Sequence, residues 1–330
     1  MIDAFRGVAI IMVMAFHYLL RWAPPFAPQD LYGYDHVYSP WLSLGRLGVD
    51  IFFVISGLVI AMTLQTARGA VDFGVRRLAR ILPALAVAAV LTLVVTRMGP
   101  APMHRSLHDL FASFTFMPER FGGQYVDGAY WSLSVELRFY AWTALSALLL
   151  KDRFWIGLLA PAAVSLVVGH GLAGWPFIAP YWPYLLIGVG AWYGLFERRR
   201  TPAVVLGLAA LALLVRQNPG ALETVFIGGW VAAMFTLIAW RARIVFLPWL
   251  GRISYSLYLL HQNIGVTLIN RLTHAGLPDG LAIAVTVGVM VILAWMFFRL
   301  IEQPGQRAVM AYWRRTQARR GISGKLAESR

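Results

Sequence analysis

Hydrophobic residues in this chain come in blocks of about 20, the length that crosses a bilayer as an α-helix. Short, arginine-bearing connections separate the blocks. They fall at approximately 4–22, 46–65, 78–97, 129–150, 154–172, 176–196, 203–217, 221–240, 249–270 and 280–301. The pattern predicts an all-α, polytopic membrane protein of about ten transmembrane helices. The seventh block is the shortest and ends at Arg216 and Pro219; everything after it inverts if it does not cross. The first block has little positive charge before it, carries His17 and runs into Pro24-Pro25 with no small-residue cleavage site. It reads as a retained helix and not as a signal peptide.

Composition agrees with the pattern. Of 330 residues, 59% are hydrophobic and only 13% charged, with a mean hydropathy of +0.65. The formal charge of +14 does not form a nucleic-acid face, because the arginines lie in short clusters between apolar blocks. Counted from an inside N-terminus, those clusters fall on one side: Arg68, Arg76, Arg77 and Arg80; Lys151 and Arg153; Arg198 to Arg200; Arg241 and Arg243. The positive-inside rule then puts both termini in the cytoplasm, in a bacterial inner membrane. Residues 1–302 form one membrane domain, and 303–330 a basic cytoplasmic tail that lies on the anionic inner leaflet. The longest outer segments, about 23–45 and 98–128, are rich in Pro, Gly and aromatics and are expected to fold over the outer mouth as lids. No cysteine is present, which excludes disulfides, thiolate catalysis and cysteine metal sites. His104 and His108 stand four apart without an acidic or histidine partner, so no metal is expected. His36, His170 and His274 read as loop or interface histidines.

Four ionisable groups interrupt the apolar blocks, and each is costly there unless it faces a polar interior. His17, Asp50, Glu136 and His261 convert, at about 1.5 Å per residue, to similar depths in the outer half of the membrane. A second layer lies on the inner side. Arg6 shares a face of the first helix with His17, eleven residues or about three turns away. Arg76 and Arg80, four apart at the start of the third helix, repel unless an anion such as phosphate sits between them. Ser132, Glu136 and Tyr140 form a polar stripe on the fourth helix; Ser254, Tyr258 and His261 form another on the ninth.

One chemistry uses both layers. A phosphate-rich carrier held by the inner arginines sends a thin thioester arm upward, half the hydrocarbon core being only about 15 Å. A neutral imidazole in the outer layer takes the proton of an attacking hydroxyl, assisted by a carboxylate.

The same residues resemble the acyltransferase 3 family of integral-membrane O-acyltransferases. The matching segments are Ile2-Asp3-Ala4-Phe5-Arg6-Gly7-Val8-Ala9 through His17, Gly45-Arg46-Leu47-Gly48-Val49-Asp50 through Gly57, Arg76-Arg77-Leu78-Ala79-Arg80-Ile81-Leu82-Pro83, Trp131 through Glu136, Ile253 through His261, and Glu302-Gln303-Pro304. The resemblance covers nearly the whole chain in order. It implies an acyl-CoA donor from the cytoplasm, most commonly acetyl-CoA, and a sugar, glycolipid or other hydroxylated acceptor at the outer face. It makes His17 the catalytic histidine, with Asp50 or Glu136 assisting, and gives the donor to Arg6, Arg76 and Arg80. Trp131, Ser132, Tyr258 and His261 are expected to line the acceptor side. Two other readings stay open: a transporter or flippase of a lipid-linked sugar, and an assembly partner without activity of its own.

Overall fold

The computed structural model describes residues 1–21, 40–168, 180–240 and 247–328. His36, His170, Pro24, Pro25, Arg241, Arg243 and most of the 23–45 segment lie outside the described residues. Among the described residues the chain is helical throughout, in the order α1 (Ile2–Phe16), α2 (Pro40–Ser43), α3 (Gly48–Thr66), α4 (Ala70–Thr96), α5 (Leu107–Ser113), α6 (Trp131–Leu150), α7 (Phe154–Gly157), α8 (Leu159–Val168), α9 (Trp182–Leu195), α10 (Arg200–Gln217), α11 (Ala221–Ala239), α12 (Pro248–Arg252), α13 (Ser254–His274), α14 (Asp279–Phe297) and α15 (Gln303–Glu328).

Seven helical stretches among the described residues are long and apolar enough to cross a membrane. The other three hydrophobic blocks are also helical, but too short or too polar to count among the seven. The 154–172 block is divided into α7 and α8, and the 176–196 block yields the 14-residue α9. Helix α13 has 21 residues but carries Ser254, Ser256, His261, Gln262 and Asn263. Such a sequence is costly against lipid and stable when walled in by protein. Fifteen of its residues are buried: it is the polar axis around which apolar helices stand.

Two close approaches set the arrangement. Helices α3 and α9 form the most extensive helix pair, and their backbones meet at Gly57 and Gly188. A Cβ on Gly57 would lie 2.2 Å from the Leu185 carbonyl oxygen, and one on Gly188 2.1 Å from that of Val54. Small residues let helices touch backbone to backbone where lipid supplies no hydrophobic drive. The second approach joins α1 to α12, where a Cβ on Gly251 would fall on the Asp3 carbonyl.

The segment between α4 and α6 packs across the far end of α13. Ser106 caps α5 and Asp109 bonds back to it, a reciprocal capping box. Burial alone would raise the Asp109 carboxyl, but hydrogen bonds from Ser106 and the Gln124 N–H hold it below the usual carboxylate range. Asp127, fully buried, accepts from the Ala129 and Asn263 backbone N–H groups at 2.9 Å each. The Asn263 amide in turn donates to the Val126 carbonyl at 2.8 Å. Hereafter this is the distal end; the basal end is where α3 passes into α4.

Replacing Gly188 by Val should lower stability by about 2 kcal/mol or more, because overpacking at a backbone contact forces the two helices apart. Thermal unfolding of the detergent-solubilised protein checks this; an unchanged midpoint would show that α3 and α9 are not locked at that crossing.

Candidate active site

A cavity of about 80 Å³ lies between α1, α3, α4, α6 and α13, space for several water-sized groups. Arg6, Arg77, Arg80 and Glu136 line it, with Ser56, Ser132, Tyr255 and Tyr258. Three of the four charges are held by hydrogen bonds, from their own helix or from α3. The Arg6 Nη1 donates to Asp3 Oδ1 at 3.1 Å. Arg77, only 4% exposed, donates Nη2 to the Val59 carbonyl at 2.6 Å and to Thr63 Oγ1. Its guanidinium also stands 5.4 Å from the Tyr140 ring centre, a cation–π distance. Glu136 accepts from Ser56 Oγ at 2.9 Å and from the Tyr140 hydroxyl.

Arg80 differs. It faces the cavity with no hydrogen-bond partner among the described residues, while Tyr140, Glu136 and Glu302 act on it through space. Glu302 is itself buried, bonded to the Ser256 hydroxyl from the π-helical turn that joins α14 to α15. The cavity wall thus carries three guanidiniums against one carboxylate. A desolvated excess of donors of that kind favours an anion or a strongly polarised oxygen.

The histidines form a separate layer beyond this wall. Neither His17 nor His261 lines the cavity; Tyr258 stands between, its ring centre 5.5 Å from that of His261 and 6.0 Å from Phe52. Ser132 and the Ala129 carbonyl fix the Tyr258 hydroxyl at 2.7 and 2.9 Å. His261 Nε2 and His17 Nδ1 are 3.0 Å apart, and His261 Nδ1 is 2.8 Å from the Tyr258 carbonyl oxygen. A carbonyl only accepts, so His261 must carry its proton on Nδ1 and offer Nε2 as a lone pair. His17 must then donate from Nδ1, which leaves its own Nε2 as an unprotonated base. The chain reaches this geometry through a local irregularity: α1 widens into a π-helical turn over His17–Arg21, a feature frequent at functional sites.

The residues singled out from sequence therefore separate into groups. Arg6, Arg80, Ser132, Glu136 and Tyr258 share the cavity, and His17 and His261 pair above it. Neither Glu136 nor Asp50 is hydrogen-bonded to His17; His261 occupies that position. Asp50, in the first turn of α3, is influenced instead by Arg46 and Glu223, which pair with each other. Trp131 packs in an aromatic trio with Phe53 and Tyr181, at 6.2 and 5.0 Å between ring centres. Arg76 turns away from the cavity: its Nε donates to Asp72 Oδ2 at 2.8 Å. Arg77 takes the place that the four-residue spacing assigned to Arg76. The signal was present in the sequence, since Asp72 stands four residues before Arg76 and competes for it.

A family model described as an acyltransferase domain, that of acyltransferase 3, matches residues 1–299. The chain belongs to the acyltransferase 3 family. It is similar to the peptidoglycan O-acetyltransferase OatA of Listeria monocytogenes, at 25% identity over 92% of this chain and 55% of OatA. It is also similar to the putative membrane-bound transacylase BcsY of Komagataeibacter xylinus, at 27% over 92% of this chain and 82% of BcsY. The O-acetyl transferase of Shigella phage Sf6 is 26% identical over 89% of this chain and 92% of its own length. The chain thus spans about half of OatA and most of the other two. No solved structure matches it.

The tautomer chain is directly measurable. With ¹⁵N-labelled histidine, His17 should show a protonated Nδ1 and a bare Nε2 at neutral pH. His261→Ala should collapse that preference to a mixture; an Nε2-protonated His17 in the unaltered protein would refute the chain.

Proposed function

We propose that the protein is an O-acyltransferase that moves an acyl group, most simply acetyl, from cytoplasmic acyl-CoA to a hydroxyl of a carbohydrate at the outer side of a bacterial inner membrane. In this reading ten helices cross the bilayer, both termini face the cytoplasm, and the basal end is the donor side. The observation that carries the reading is the stacking of two layers, a guanidinium-lined cavity and the His17–His261 pair, on one side and the other of Tyr258. The named activities of OatA and the phage protein, both O-acetyl transfer, point the same way.

The chemistry follows from the protons. His17 Nε2 takes the proton of the acceptor hydroxyl as its oxygen attacks the thioester carbonyl carbon. Negative charge develops on the carbonyl oxygen and is stabilised by preorganised donors aimed at it; Arg80, with its donors unspent, suits that task or the grip on the arm beneath. The carbon–sulfur bond then breaks, and the imidazolium returns its proton to the leaving thiolate. The products are an O-acyl ester and free CoA thiol. His261 acts here as a positioning residue, holding the tautomer that exposes Nε2, the part a carboxylate plays in other acyl-transfer sites. Glu136, satisfied by two hydroxyls, balances the charge of the arginines. In this proposal the acceptor enters from the distal end, past Asp50, Trp131 and the 98–128 segment.

Purified protein should release CoA thiol from acetyl-CoA in the presence of a hydroxylated acceptor. His17→Ala should reduce turnover about a thousandfold, within the range for losing a general base. His261→Gln, whose side-chain carbonyl still accepts from His17 Nδ1, should retain kcat within about tenfold, whereas His261→Leu should lose about a hundredfold in kcat with little change in KM. Full activity in His17→Ala would overturn the base assignment. Absence of thiol release by the unaltered protein, with a lipid-linked sugar crossing vesicles instead, would establish transport.

A further inference from the structure

Apart from the cavity, the basal end carries a second concave surface. A cleft of about 560 Å³ opens between the first turns of α4, Leu148 at the end of α6, and α15, within the range of small-molecule sites. Arg68, Arg76, Arg314 and Trp313 line it. Asp72 is the one carboxylate in the wall, and it is spent on organising its neighbours. Its Oδ2 accepts from Arg76 Nε and the Arg68 N–H at 2.8 and 3.0 Å, and its Oδ1 from Trp313 Nε1 at 2.8 Å.

Those bonds have a directional result. Holding Arg76 by Nε leaves its two terminal nitrogens for another partner. Holding Trp313 by its only donor fixes an indole whose ring lines the cleft. Arg68 and Arg314 are exposed and in no ion pair among the described residues. The 27-residue α4 begins here, so its first N–H groups add positive potential. Three guanidiniums against one neutralised carboxylate, beside an immobilised indole, match phosphate groups joined to a flat heterocycle. A positive-inside signal would need the charge but no pinned tryptophan.

We propose that this cleft holds the nucleotide end of the donor, an adenosine bearing 3′- and 5′-phosphates, with the base on Trp313 and the phosphates on Arg68, Arg76 and Arg314. The proposal rests on the donor reading above. Position along α4 fits: from Asp72 in the cleft to Arg80 in the cavity is about 12 Å of helix, the scale of a pantetheine arm. Arg76 thereby keeps a donor role, serving the head of the carrier, while Arg80 serves its thioester end.

The test uses the full-length protein and two donors, acetyl-CoA and acetyl-pantetheine, the second lacking the nucleotide. Arg314→Glu, at an exposed position, should raise KM for acetyl-CoA about tenfold, one charge-assisted phosphate contact's worth. It should leave kcat and the acetyl-pantetheine KM unchanged. Adenosine 3′,5′-bisphosphate should bind the unaltered protein by calorimetry in phosphatidylcholine nanodiscs and bind Arg314→Glu and Trp313→Leu more weakly. Turnover of acetyl-CoA with an unmoved KM in Arg314→Glu would overturn the cleft and spare the function. No turnover of either donor, with cleft-dependent bisphosphate binding intact, would overturn the function and spare the cleft. Loss of bisphosphate binding when phosphatidylglycerol replaces phosphatidylcholine would assign the cleft to lipid headgroups and overturn the proposal.

Discussion

A guanidinium inside an apolar bundle must satisfy its donors from other helices, and the interior of this protein is organised around that demand. Arg77 takes the carbonyl of Val59 and the hydroxyl of Thr63 from α3, tying α4 to α3 through a charge. Glu136 takes Ser56 from the same helix and Tyr140 from its own. These contacts draw α3, α4 and α6 together at one level, and α13 closes the ring with Tyr255 bonded to the Ile81 carbonyl at 2.9 Å. Removing one partner from such a set leaves a buried charge uncompensated, which is far more damaging than the set is stabilising. The polar layer is therefore retained for what it makes possible. It holds Arg80 in place without using up its donors.

The polarity of α13 serves the same end at another level. A helix bearing serines, a histidine, a glutamine and an asparagine has little reason to be central in an apolar protein, yet four of its polar groups meet partners from different elements. Ser256 meets Glu302, Tyr258 meets Ser132, His261 meets His17, and Asn263 meets the 126–127 turn. The helix works as a spine that sets the relative height of the arginine layer, the tyrosine partition and the histidine pair.

Much of this was legible in the sequence. Block lengths gave the helices, and converting position to depth gave two polar layers, because a helix has a fixed rise and membrane crossings share a common frame. What sequence spacing could not supply was direction. Arg76 and Arg80 share a helix face by spacing, but Asp72 bends Arg76 away and Arg77 enters the cavity, a choice made by a neighbouring carboxylate and by the carbonyls of α3. Position along the helices puts Asp50 and Glu136 beside His17, yet Glu136 lines the arginine cavity, Asp50 stands near Arg46 and Glu223, and α13 brings His261 to His17 instead. The widening of α1 after Phe16 is likewise invisible to a 3.6-residue period, although it sets how His17 is presented.

The glycine contact between α3 and α9 has a mechanical corollary. Where two backbones rest against each other with no side chain between them, there is no layer to slide or repack, so this pair behaves as one plate. Any opening between helices must then occur elsewhere among them. At the seam where α1 and the turn after it lean on α13, the Tyr18 hydroxyl meets the His261 carbonyl at 2.6 Å beside the His17–His261 contact, so loosening it would disturb the imidazole couple at the same moment.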